Sequence, residues 1–131
     1  MSRSTVIALV LLSLGVGLTP EAAARGGGDG SEIRVAGVCG SGATSKLRLR
    51  QRDAGAIEVR FEVEHARTGE RWRVTLVRER RVVWRGSART HAGRFEVERR
   101  IADLGGADQV MARAVGPRGL TCSASATLPG N

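Results

Sequence analysis

The sequence predicts an all-β fold: an antiparallel β-sandwich of seven to eight strands, with a flattened closed β-barrel as the alternative, preceded by a signal peptide. Three observations carry this expectation. Apolar and polar residues alternate with period two over most of the chain after Ser31. Clusters of Gly, Pro and Asp interrupt the alternation roughly every ten residues, and no later stretch shows the apolar spacing of an amphipathic helix.

The chain has 131 residues, room for one small domain. It opens with a basic residue, Arg3, an apolar stretch from Thr5 to Leu18, and small residues Ala22 and Ala24 at the spacing a signal peptidase reads. Residues 1–24 are therefore expected to be a signal peptide. The apolar stretch is shorter than the roughly 20 residues that span a bilayer, and no second one follows. Secretion is the expectation, without a membrane span after cleavage. Residues 25–31, RGGGDGS, have too little apolar content to pack and are expected to form a flexible lead-in. Residues 32–129 are left as a single domain.

Its strands can be read in order. Glu32 to Cys39 comes first, with Ile33, Val35 and Cys39 on one face. In SKLRLRQR, Leu47 and Leu49 alternate with Lys46, Arg48 and Arg50; the turn signal Asp53-Ala54-Gly55 leads into AIEVRFEVE, where Ile57, Val59, Phe61 and Val63 alternate with charges. With Arg52 opposite Ala56, Leu49 meets Val59 and Leu47 meets Phe61, while Arg50 meets Glu58 and Lys46 meets Glu62. A slip of one residue destroys both sets of pairs. Arg48 beside Arg60 is the like-charged exception. The next segment, RWRVTLVR, is expected to extend a meander, with Val63 opposite Trp72, Glu64 opposite Arg71 and Glu62 opposite Arg73. Arg81 to Gly86, Arg94 to Ile101, Asp108 to Val115 and Leu120 to Leu128 complete the set, separated by SARTHAG, LGGA and GPRG.

Cys39 and Cys122 are the only cysteines. In an exported domain they are expected to form a disulfide, since neither a C-x-x-C pair nor a lone thiol with a base nearby is present. Cys39 ends the first strand and Cys122 begins the last, so these two strands should be neighbours, with the bridge on the core side and the Cα atoms within about 7 Å. The immunoglobulin pattern is not met. It needs a Trp shortly after the first Cys and a Tyr two residues before the second, whereas Trp72 is remote and the chain has no Tyr.

Several chemistries lack their residues. The glycine-rich run Gly40 to Lys46 has Ala43 where a phosphate-binding loop requires Lys, and it leads into a strand. There is no G-x-S-x-G, and Ser87 and His91 have no acidic residue nearby to orient the imidazole. His65 and His91 fall in loops and do not make a zinc ligand set. Glu62 and Glu64 share a face at a spacing compatible with glycoside hydrolysis, but Arg71 and Arg73 opposite them would keep both ionised. No enzyme activity, cofactor or metal is expected.

The net charge of +8 comes from 21 basic residues, all but Lys46 being Arg, against 13 acidic ones. Two readings of the Arg excess compete. One is a compositional preference that puts Arg on any solvated face. The other is an anion-binding patch of Arg78, Arg80, Arg81, Arg85, Arg99 and Arg100, with Arg89 and Arg94 nearby, for an anionic envelope polymer. Nucleic acid is disfavoured, because neither interleaved exposed aromatics nor a groove-entering helix is present. Trp84 stays ambiguous: a two-residue turn at Glu79-Arg80 and a three-residue turn send it to opposite faces. Outward, it would anchor a protein partner.

The run VAGVCGSGATSKLRLR, followed by IEVRFEVE, GERWRV, FEVERR and a late single Cys before a small-residue strand, resembles a family of small secreted actinobacterial proteins of unknown function. That resemblance implies a disulfide-linked all-β domain and no particular activity or site residue. The expected function is a secreted, non-catalytic binding or structural module at the cell envelope. The alternative is a protein–protein interaction module, inhibitor-like or receptor-like, that uses Trp84 and the neighbouring arginines to hold another secreted protein.

Overall fold

The computed structural model describes residues 31–40, 42–52 and 55–130. The expected signal peptide and the expected lead-in up to Gly30 lie outside the described residues. Among the described residues nine strands run in order: β1 (Glu32–Ala36), β2 (Val38–Cys39), β3 (Thr44–Arg52), β4 (Ala56–Glu64), β5 (Arg71–Arg78), β6 (Arg81–Arg89), β7 (Phe95–Ala102), β8 (Asp108–Val115) and β9 (Thr121–Leu128), with a 3-10 turn at Pro117–Gly119 between the last two. They form two antiparallel sheets, ordered β1-β3-β4-β7 and β2-β9-β8-β5-β6. This is a sandwich; among the described residues no strand closes the two sheets into a barrel.

The expected first hairpin is present residue for residue. Arg52 lies opposite Ala56, Leu49 opposite Val59 and Leu47 opposite Phe61. These apolar residues, with Ile57, Val63, Trp72, Val74, Leu76, Val110 and Leu128, are buried between the sheets. At one end of this core the Trp72 and Phe95 rings meet at 5.8 Å between centroids. Trp72 lies flat enough against Gly116 that a Cβ there would come within 2.5 Å of its ring.

Two expectations are corrected. The meander stops after two strands: β4 continues into β7, with Val63 opposite Phe95 rather than Trp72, and β5 belongs to the other sheet between β8 and β6. The cause is an ambiguity of the pattern. The inner faces of β4 and β5 both point into the core from opposite sides, and alternation is satisfied equally by pairing within a sheet and by facing across a sandwich. Thr90, almost fully buried, holds the crossing in place: its hydroxyl donates to the Arg67 carbonyl at 2.5 Å and accepts from the Glu70 N–H at 2.8 Å.

The first strand is also two strands. At Gly37 the chain leaves β3 and passes to β9, so β1 edges one sheet and β2 edges the other. Only glycine fits there, because a Cβ would lie 2.5 Å from the Ser123 carbonyl oxygen and closer still to Ser45 Oγ. The neighbour relation inferred from the cysteines holds for the second half: Cys39 pairs with Cys122, their Cα atoms are 4.1 Å apart, and the sulfurs are bonded. Cys122 is fully buried and Cys39 packs against the same core.

Because the bond spans a sequence separation of 83 residues, loop-closure entropy assigns it about 4.5 kcal/mol. Replacing both cysteines by Ala is expected to lower the unfolding free energy by roughly that amount, read from urea midpoints. A loss under 1 kcal/mol would show that the bond adds little to what the strand pairs already hold.

Candidate functional site

The two outer faces of the sandwich carry opposite electrostatic designs. On the four-stranded sheet, facing residues form rows across the strands: Glu32, Arg50, Glu58 and Arg100 in one, Arg34, Arg48, Arg60 and Glu98 in the next, then Lys46, Glu62 and Glu96. Acids and bases interlock. Arg48 reaches Glu32 and Glu58, each at 3.4 Å, and Arg60 reaches Glu96 at 3.1 Å and Glu98 at 2.9 Å. The like-charged neighbours Arg48 and Arg60 are thus each held by carboxylates, Arg48 by two in a flanking row and Arg60 by Glu98 in its own row and Glu96 in the next. Glu58, only 5% exposed, is also bound by Arg52 at 3.0 Å.

The five-stranded sheet has no such balance. Its outward residues are Arg71, Arg73 and Thr75 on β5, Arg85, Ser87 and Arg89 on β6, Met111 and Arg113 on β8, and Ser and Thr along β9. Among the described residues the outward-facing rows of this sheet contain no carboxylate; Glu79 stands at the β5–β6 end, beside Met111 and Ser125, where it accepts from the Gln109 N–H at 2.7 Å. Row by row, Arg85, Thr75, Arg113 and Ser123 lie side by side, then Ser87, Arg73 and Val115, then Arg89 and Arg71. All five arginines are exposed. A shallow groove of about 710 Å³ runs among Arg73, Arg85 and Arg113.

The arginines singled out from sequence do not form one patch. Arg80 and Arg81 sit at the β5–β6 turn, and Arg78 there donates to the Ala102 carbonyl. Arg85 is in the acid-free rows of the five-stranded sheet. Arg100 lies on the other sheet opposite Glu58, and Arg94 donates to Glu62 at 2.5 Å. Arg71, Arg73 and Arg113 were missed as a site, the first two because the expected meander had paired them with Glu64 and Glu62. Period-two alternation on β5 and β8 was the available signal.

Trp84 and Arg99 meet at the open side of the sandwich. The β5–β6 turn has two residues, Glu79 and Arg80, both with positive φ, but a bulge between Leu76 and Val77 shifts the register and places Trp84 opposite Leu76, toward the core. The ring is half-buried, and the Arg99 guanidinium lies over it at 4.5 Å. Arg99 itself faces Val59 and so takes an inward position on the edge strand β7. It caps the gap between the β6 and β7 edges.

Two carboxylate pairs shift in pKa. Glu64 hydrogen-bonds Glu62, which raises the Glu62 carboxyl above its usual range with burial adding to it, and the same contact lowers Glu64. The partners expected at Arg71 and Arg73 are replaced by Arg94. At the β7–β8 connection, burial raises Asp108 and its hydrogen bond with Asp103 adds to this, while the Gly105 N–H, at 2.9 Å, lowers Asp103. Among the described residues no group of His, Cys, Asp and Glu is placed to hold a metal ion.

Asp108 binds its proton more tightly folded than unfolded, so its contribution favours folding in acid and is lost as pH rises through the raised pKa. Asp108→Asn, which keeps the shape and can donate to Asp103, is expected to stabilise the protein by about 1 kcal/mol at pH 7. The gain should shrink toward pH 4, as urea midpoints at the two pH values would show. A variant less stable at pH 7 would mean that the charged form is the favoured one.

No family model, curated protein or solved structure matches the chain. The likeness to small secreted actinobacterial proteins therefore reduces to a disulfide-linked all-β domain.

Proposed function

We propose that this domain is an exported, non-catalytic binding module that holds an anionic polymer of the cell envelope against the outer face of its five-stranded sheet. The observation that carries the reading is the asymmetry of charge: five exposed arginines share facing rows that contain no carboxylate, while on the opposite face acids and bases interlock. A general preference for Arg would spread the excess over both faces. Concentrated on one, it attracts polyanions and leaves guanidinium donors free for them. The disulfide suits an oxidising compartment, and among the described residues no helix is long and apolar enough to cross a membrane. Trp84, half-buried with the Arg99 guanidinium over its ring, offers less surface to a protein partner than the exposed arginines offer to a polyanion.

Retention of the oxidised protein on an immobilised anionic polysaccharide is expected to fall steeply with salt. The combined change Arg71→Gln, Arg73→Gln and Arg113→Gln should move elution to much lower salt, and Arg78→Ser, Arg80→Ser and Arg81→Ser should move it less. Retention indifferent to salt, or to the first set of changes, would remove the proposal.

A further inference from the structure

The acid-free rows have a centre. β5 lies between β6 and β8, so Thr75 is flanked in its own row by Arg85 on one side and Arg113 on the other. Arg73 stands two residues away on the same strand and face. From strand spacings, the Cα atoms of these three arginines form a triangle about 8–10 Å on a side, within reach of one another's guanidinium groups. All three line one groove together with Thr75 and Ser87, whose side chains add hydroxyls at its floor and wall. Arg73, Arg85 and Arg113 are exposed, and among the described residues none of them has an ion pair or side-chain hydrogen bond.

We infer that this cradle takes a phosphate monoester, an assignment that rests on the reading of this face as a polyanion site and names the group it selects. The choice follows from charge and oxygen count. A carboxylate brings one charge and two oxygens, which a single guanidinium fork satisfies, so three arginines around one carboxylate would be left largely uncompensated. A phosphate monoester brings a charge of about −1.5 to −2 and three acceptor oxygens. Each arginine then has an oxygen to itself, and the Thr75 hydroxyl is in reach of a fourth contact. Arg71 and Arg89 lie beyond the triangle, in the row past Arg73, and Arg89 already donates to the Gly69 carbonyl at 3.1 Å. They add general attraction along the polymer.

The test uses the oxidised full chain and four probes at matched ionic strength: inorganic phosphate, acetate, phosphorylated dextran and carboxymethyl dextran. Inorganic phosphate is expected to shift the backbone amide resonances of Thr75 and Arg113 with an affinity at least tenfold above that of acetate. Arg113→Gln should weaken it about tenfold and Arg89→Gln less than twofold. Phosphorylated dextran should be retained to higher salt than carboxymethyl dextran of equal charge density. Equal responses to phosphate and acetate, with both dextrans retained, would overturn the cradle and leave the polyanion face standing. Selective binding of inorganic phosphate with neither dextran retained would keep the cradle as a site for the free ion and remove the polymer. No response to any probe would overturn both.

Discussion

The fold depends on the crossing at Gly37. There the chain exchanges a partner in one sheet for a partner in the other within a single residue, and the Cys39–Cys122 bond follows immediately. The crossing joins the two sheets along one side through the backbone itself. Any side chain at Gly37 would have to displace Ser45 or the β9 backbone, so the continuity of that side requires glycine. On the opposite side the chain crosses as well, from β6 to β7, but through a connection of five residues, 90–94, and the Arg99–Trp84 contact covers the gap between the two edges.

How much of this was legible in the chain depended on what each pattern encodes. The β3–β4 hairpin was readable because a short turn fixes the register and the charges agree with it. The partner of β5 was not readable, since the alternation Trp72, Val74, Leu76 records only that one side of the strand is buried. Trp84 was undecidable for a related reason: a bulge at Leu76 and Val77 inverts the parity that a two-residue turn alone would dictate. The cysteines gave the longest-range contact correctly, because covalent geometry leaves less freedom than packing does.

The misplaced β5 also hid the candidate site. A meander gives Arg71 and Arg73 carboxylate partners and leaves the excess at the β5–β6 turn and on β7. With β5 in the second sheet, the same two residues join Arg85 and Arg113 in rows that carry no acid. Function followed topology: no side chain changed its character, only its neighbours. The face over β3, β4 and β7 serves as an internal contrast on the same molecule: its arginines stand among carboxylates and are in part half-buried by them.

The disulfide has a further consequence for the order of assembly. β2 finds its partner in β9, the last of the described strands, so a strand synthesised early is completed last. Pairing across so long a separation has to wait for closure of almost the whole domain, and local hairpins such as β3–β4 can form well before it. The two thiols therefore meet only when both sheets are built and stacked. Oxidation of this pair marks a finished domain, and a population with free thiols would report chains in which the N-terminal strands have not yet docked.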